Sequence, residues 1–326
     1  MATLQTIGES GFVGLAPTPV QKYAIDHYLK NDDFLNVMQF VNIAQGDNTG
    51  NFQCSGVYYR GTSEATFRAL GVDYTPDNEV PLYWTERLKF LGGAFDADVE
   101  IARAFGSTPG AVSNWTEQQI AQKLNATKNA FAKYFIQGDS TTSATQFDGL
   151  NKRISSEQVF STPINVAELT PAKAIQVEVQ INKVINKIEP KRPNVIITTA
   201  NGAAVLSALN AYRNRGIEAV EVNSRKYSAY MGIPVITVTD NVFPTADTNI
   251  GIPVVVALID EFEGVRVAVP SDGQLLIIIP PKFDNGKVVE RGCCEMACTP
   301  IWDNPFAVAK FYLDETVPVS GGNGET

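Results

Sequence analysis

Histidine and cysteine are the residue types in this chain best suited to nucleophilic catalysis or metal binding, and both are scarce. His27 is the only histidine, so a serine or cysteine triad would have to use it as the base. It falls in a short helix predicted over 18–29, far from any ordered nucleophile. We therefore expect His27 to be a surface or packing residue.

The cysteines form the sharpest cluster, Cys293-Cys294-x3-Cys298, with Cys54 distant in the sequence. A zinc or iron–sulfur site takes about four ligands. On a strand, however, Cys293 and Cys294 face opposite sides, so they do not converge on one ion. Because free cysteine is often buried, we expect reduced thiols that pack in the core, and neither a metal ion nor a cofactor.

Other patterns that carry chemistry are missing from the sequence. No glycine run has the spacing of a phosphate-binding loop. Asp96, Asp98 and Glu100 alternate, but they lack the glycine and the terminal glutamate of a calcium loop. With no catalytic constellation, we expect that the chain is not an enzyme.

The composition is that of a folded chain with a sizeable core. Of 326 residues, 44% are hydrophobic and 19% are charged, and the net charge is −9. No lysine- and arginine-rich run is present, which argues against a protein that grips DNA directly. No apolar run approaches the ~20 residues that span a bilayer, and the N-terminus lacks the pattern of a signal peptide. We expect a cytosolic protein that does not enter a membrane.

Three predicted segments cannot bury themselves within a single chain. They are an arm over 1–35, a ribbon over 36–92 and a polar tail from 320. The ribbon is predicted as a long β-hairpin, since Phe52, Val57 and Tyr59 alternate before a glycine-containing tip. An isolated two-stranded ribbon is marginal in water. We therefore expect it to pack on a partner surface.

A long helix is predicted over 114–137. Asn114 and Glu117 have the spacing of a capping box, and Gly138 is a natural stop. The apolar residues on one stripe of this helix are Ile120, Leu124, Phe131 and Phe135. Beyond it, helices and strands alternate over 171–270, and strands predominate over 274–313. The fold class is therefore predicted to be α+β.

The order of these elements resembles that of the major capsid proteins of tailed double-stranded DNA bacteriophages, which share the Hong Kong 97-type fold. Two local patterns carry the resemblance. One is the turn Gln146-Phe-Asp-Gly-Leu150 after the long helix, and the other is the closing run that follows Glu295–Thr299. The residues that we assign to these two fold motifs are Phe147, Asp148, Gly149, Trp302, Pro305 and Phe306.

The resemblance implies a domain order. It comprises an N-terminal arm (1–35), an extended loop (36–92), a peripheral domain (93–164) with a spine helix (114–137), an axial domain (165–272), and a return to the peripheral domain with a C-terminal tail (273–326). It also implies that assembly contacts lie on the extended loop. We assign these contacts to Arg60, Phe67, Arg68 and Trp84. Residues 42–81 contain no lysine, so a covalent crosslink from this loop is not expected.

The function implied by the resemblance is self-assembly into pentamers and hexamers of an icosahedral head that encloses double-stranded DNA. Expected partners are a separate scaffolding protein, a portal and an optional decoration protein, with DNA contacted non-specifically at most. Assembly would take place in the host cytoplasm, and the product would be the virion. The alternatives are an encapsulin-like compartment shell, a cytosolic α/β enzyme built on 165–272, and a binding module that uses the ribbon to attach a fibre or tail.

Overall fold

The computed structural model describes residues 32–47, 50–58, 65–74, 81–98, 100–101, 104, 111–213, 218–279, 281 and 288–315. The predicted arm before residue 32, with His27, lies outside the described residues. So do Arg60 and the tail after residue 315.

The α-helices whose bounds the structure describes are α1 (Asp33–Val37), α2 (Ala111–Gln137), α3 (Leu150–Arg153), α4 (Pro171–Ile185), α5 (Ala200–Tyr212) and α6 (Thr245–Thr248). α2 has 27 residues, which gives it a length of about 40 Å. The predicted apolar stripe of α2 is buried and packs on strands of the first sheet. Because the apolar residues recur on one face of the helix, that face is buried when α2 packs on the sheet.

The strands of the first sheet are β1 (Phe40–Gly46), β2 (Phe52–Tyr58), β3 (Leu82–Arg87), β4 (Lys89–Asp98), β11 (Val265–Pro270), β12 (Leu276–Ile279) and β13 (Val289–Trp302). Their order is β12-β13-β11-β1-β2-β3, and β4 also pairs with β13. The β4–β13 pair is antiparallel and runs from Val289↔Asp98 to Cys298↔Lys89. This long pair forms the surface on which α2 lies.

The strands of the second sheet are β5 (Val159–Asn165), β6 (Val195–Thr199), β7 (Ala219–Val222), β8 (Arg225–Tyr230), β9 (Ile233–Val238), β10 (Ile252–Ala257) and β14 (Val308–Asp314). Their order is β5-β14-β10-β6-β9-β8-β7, and α4 and α5 pack against it. The central strands β6 and β10 are buried along almost their whole length and are apolar except for Thr198 and Thr199, which is typical of strands covered on both faces. The α+β fold class is therefore confirmed.

Three strands pair across the limits of the expected domains. β14 pairs with β10, and β5 pairs with β14, in the second sheet. β11 pairs with β1 and β13 in the first sheet. Alternating apolar residues identify a strand from the local sequence. The strand with which it pairs depends on contacts between residues that are distant in the sequence.

Two local predictions also need correction. The described part of the spine helix already includes Ala111, so Asn114 lies within the helix and is not its N-cap. The ribbon is not a simple hairpin over 36–92, because β1 pairs in parallel with β11 as well as antiparallel with β2. The hairpin proper is β2–β3, with a register that runs from Gln53↔Arg87 to Tyr58↔Leu82.

Candidate functional site

The segment 65–74 lies beyond the paired part of the ribbon and presents large apolar side chains to solvent. Phe67 is 106% exposed and Leu70 is 100% exposed, and Val72 and Tyr74 are exposed as well. Single exposed apolar residues are ordinary, but a group of them close together in one segment is typical of an interaction surface. We call residues 65–74 the ribbon tip.

Arg68 folds the ribbon tip locally. Its Nη1 donates to the backbone oxygen of Val72 at 3.3 Å, and its guanidinium carbon lies 5.5 Å from the centre of the Tyr74 ring. An arginine over an aromatic face is attracted by the ring. Arg68 therefore makes local contacts within the tip, while Phe67 and Leu70 remain exposed.

Trp84, which we predicted to be an assembly contact, packs within its own chain at the base of the ribbon. Its Nε1 donates to Asp303 Oδ1 at 2.7 Å, and Arg266 donates to the other carboxylate oxygen at 2.7 Å. The indole lies over Gly56, where an added Cβ would come within 2.4 Å of the ring. These contacts connect β2 and β3 to the end of β13 and to β11.

A second anchor ties the ribbon to α3. Arg153 donates to Glu86 Oε1 on β3 at 2.5 Å, and its guanidinium carbon lies 5.1 Å from the centre of the Trp302 ring. Both partners of the ion pair are partly buried, which weakens screening by solvent. Trp302, assigned to the closing motif, thus takes part in holding the ribbon base.

The turn after the spine helix is packed against the helix itself. Phe147 is buried, and its ring lies 6.2 Å from that of Phe131. Asp148 accepts a hydrogen bond from the backbone N–H of Ser140 at 2.7 Å. The N–H of Gly149 donates to the oxygen of Gly138 at 2.8 Å, and a Cβ at Gly149 would lie 2.5 Å from the oxygen of Tyr134. Glycine is required at this close approach.

The closing motif connects the two sheets. Asn304 Nδ2 donates to the backbone oxygen of Glu189, and the Phe306 N–H donates to Asn304 Oδ1 at 2.9 Å. Pro305 and Phe306 are half-buried. The chain passes here from β13 of the first sheet to β14 of the second.

Three of the cysteines are buried, namely Cys54, Cys294 and Cys298, and Cys293 is half-buried. Burial raises the pKa of Cys54 and of Cys294 to about 11, so both thiols are protonated at neutral pH. Among the described residues, no group of three histidine, cysteine, aspartate or glutamate side chains could hold a metal ion. In the same part of the chain, no helix has the length and apolar character needed to cross a membrane.

Some residues that shape this region were not found from the sequence. Asp303, Arg153 and Gly56 each complete an anchor at the ribbon base. The hydrogen-bond partners of Asp303 and Arg153 lie 37 to 219 positions away, and Gly56 meets Trp84 only through the pairing of two strands, so local patterns contain no signal for them.

The fold can be compared with known proteins. No family model matches the sequence, and no curated protein matches it. Among solved structures, the chain is similar to a capsid of an empty GTA particle, with 11% identity, a TM-score of 0.58, and coverage of 96% of this chain and 100% of the other. It is also similar to the SrpI encapsulin of Synechococcus elongatus PCC 7942, with 13% identity, a TM-score of 0.57, and coverage of 93% and 90%. A structure from Mycobacterium phage Bobi has 10% identity, a TM-score of 0.55, and coverage of 93% and 100%.

These similarities define the architecture of the chain. The α+β arrangement of a spine helix, a long β4–β13 pair and a second sheet is the Hong Kong 97-type fold, as predicted. It extends over nearly the whole chain, although the sequences have diverged widely.

Proposed function

We propose that this chain is the major capsid protein of a tailed bacteriophage, and that it assembles into pentamers and hexamers of an icosahedral head around double-stranded DNA. The observation that carries the proposal is the match of 96% of the chain to a capsid fold. The ribbon tip adds a reason for assembly, because Phe67 and Leu70 are fully exposed in the single chain.

Burial of the tip on a neighbouring subunit would stabilise each contact. Full burial of one large apolar side chain contributes about 1.5–3 kcal/mol. Surface ion pairs contribute ~0–1 kcal/mol, so apolar burial repeated at every subunit dominates. The anchors at Trp84 and Arg153 keep the ribbon oriented, which reduces the entropy lost on docking.

We further propose which elements form each domain of the capsid fold. The extended loop is β2, β3 and the ribbon tip, and the peripheral domain is α2 with β4 and β11–β13. The axial domain is the second sheet with α4 and α5, including β5 and β14. The head would also need a separate scaffolding protein, a portal and an optional decoration protein, with no specific grip on DNA, in keeping with the net charge of −9.

An encapsulin-like shell is the second candidate, because the encapsulin match has a TM-score of 0.57 against 0.58. Neither candidate is an enzyme. The two differ in what the shell contains. Particles would be isolated from the cells that make the protein, treated with nuclease, opened and analysed. Protected double-stranded DNA supports the phage head, whereas an enclosed protein without DNA supports the compartment and contradicts the head.

A further inference from the structure

A group of polar side chains meets in the interior where α3, α6 and β14 come together. It consists of Asn151 on α3, Asp247 on α6, and Lys310 and Tyr312 on β14. Lys310 is 6% exposed and Asp247 is 7% exposed. The hydrogen bonds described among these four side chains do not include the ribbon or the anchors at Trp84 and Arg153, so the proposed assembly function does not explain the group.

The contacts within the group are close and reciprocal. Lys310 Nζ lies 2.8 Å from Asn151 Oδ1, and 3.0 and 3.1 Å from the two carboxylate oxygens of Asp247. Asn151 Nδ2 donates to Asp247 Oδ2 at 3.1 Å. One carboxylate therefore contacts both the lysine amine and the amide nitrogen of the asparagine.

This geometry places a nucleophile, an amide and a proton carrier together. A lysine amine in a buried site attacks a carbonyl carbon once it has lost a proton to a neighbouring base. Fixed neighbours react far faster than the same groups free in solution. Asp247 is within hydrogen-bond reach of the nitrogen that loses protons and of the nitrogen that leaves, as a general acid–base must be.

We propose that Lys310 and Asn151 join within the chain through an isopeptide bond between Lys310 Nζ and Asn151 Cγ, with Asp247 as the proton carrier. Asp247 takes a proton from the Lys310 ammonium, and the neutral amine attacks Cγ. The bond from Cγ to Nδ2 breaks, and one proton from Nζ passes to the leaving nitrogen, which departs as ammonia. A second proton stays on Asp247, so the atoms and charges balance.

The product removes a buried ion pair. Before the reaction, an ammonium and a carboxylate are held away from water, and each loses hydration. Afterwards the site contains a neutral amide and a neutral carboxylic acid, which hydrogen bonds satisfy more readily. Tyr312 OH donates to Asp247 Oδ1 at 2.8 Å and positions the carboxyl group.

The bond would connect residues 159 positions apart in the sequence. It would tie α3, which follows the turn at the end of the spine helix, to β14 of the second sheet. Because it forms within one chain, it joins no two subunits and yields no ladder of linked chains on a denaturing gel. Its presence is independent of the proposed shell function.

The chain also contains a comparison pair. Lys173 Nζ lies 2.6 Å from Asn165 Oδ1, and its other described acceptor is the backbone oxygen of Ala167. No carboxylate is described in contact with that amine, so this pair should stay unlinked. A link between Lys173 and Asn165 as abundant as the proposed one would overturn the role of Asp247.

The test is the intact mass of the full chain beside that of the Lys310→Arg variant. The expected wild-type mass is lower than that of the sequence by one ammonia, and Lys310→Arg has its full sequence mass. Asn151→Asp should reach the same final mass as the wild type, since it loses water instead of ammonia. Asp247→Asn should leave most of the chain unlinked.

Peptide mapping of the wild type keeps the test decisive even if a variant fails to fold. A succinimide at an asparagine also loses ammonia, but only the proposed bond joins the peptide that contains Asn151 to the peptide that contains Lys310. Recovery of that joined peptide supports the proposal. A wild-type chain of full sequence mass, with both peptides separate, overturns it and leaves the group as an ion pair.

Discussion

Phenylalanine occurs in opposite surroundings in two regions of the molecule, namely the ribbon tip and the aromatic core that packs on the spine helix. Phe147 is buried and packs with Phe131, whose ring also neighbours Phe34 and Phe135. Phe67 is 106% exposed. Burial of Phe147 already stabilises the single chain. Burial of Phe67 would contribute free energy only when another surface covers it. Under the proposed function, stability and assembly therefore depend on different regions and can be changed separately.

The largest effect on the stability of the subunit is expected from Phe147→Ala. Removal of a buried phenylalanine costs about 3–5 kcal/mol, because the apolar contacts are lost and a cavity remains. The measurement is urea unfolding of the purified subunit. Phe67→Ala is the matched control and should change the unfolding free energy by no more than ~0.5 kcal/mol. Equal losses in the two variants would contradict the comparison.

Gly149→Ala should have the next largest effect, about 1–3 kcal/mol, because the new methyl group overpacks the turn. A Cβ at this position would lie 2.5 Å from the oxygen of Tyr134 and 2.7 Å from the nitrogen of Gly138. Gly93→Ala is the control, since its Cβ would meet only Lys123 Cδ at 3.5 Å and Nζ at 3.8 Å. An unchanged thermal midpoint for Gly149→Ala would show that the turn is not tightly packed.

Trp84→Phe should have a smaller effect, about 1 kcal/mol, because it keeps an aromatic ring but removes the donor to Asp303. Denaturant unfolding measures this difference. Tyr83, the neighbouring residue on β3, is 78% exposed, so Tyr83→Phe provides a control that should leave stability unchanged. If Trp84→Phe also left it unchanged, the ribbon base would not depend on this anchor.

The double variant Phe67→Ser, Leu70→Ser should have the smallest effect on stability and a complete effect on assembly. The subunit should unfold within ~0.5 kcal/mol of the wild type, since both side chains are already in water. Sedimentation should find no shells. Phe262→Ser removes another phenylalanine that is 73% exposed, outside the ribbon, and should still assemble. Normal shells from the double variant would show that the tip is not a contact.

The sequence predicted those parts of the fold that depend on local spacing. The stripe from Ile120 to Phe135 identified α2, and the alternation before the tip identified β2. The sequence did not identify the sheet to which β14 belongs, because sheet membership depends on pairs of residues that are distant in the sequence, such as Val254↔Phe311. Trp84 shows the same limit for the candidate site. Its partner Asp303 lies 219 positions away, so local spacing gives no sign of the hydrogen bond that Trp84 makes within its own chain.

The central claim, that this chain builds a closed shell, is tested most directly by negative-stain microscopy of the full-length protein. The protein would be expressed alone and together with its neighbouring genes, so that a required scaffolding protein is supplied. We expect uniform closed shells in at least one of the two preparations. Only monomers or small discrete particles in both would contradict a shell function.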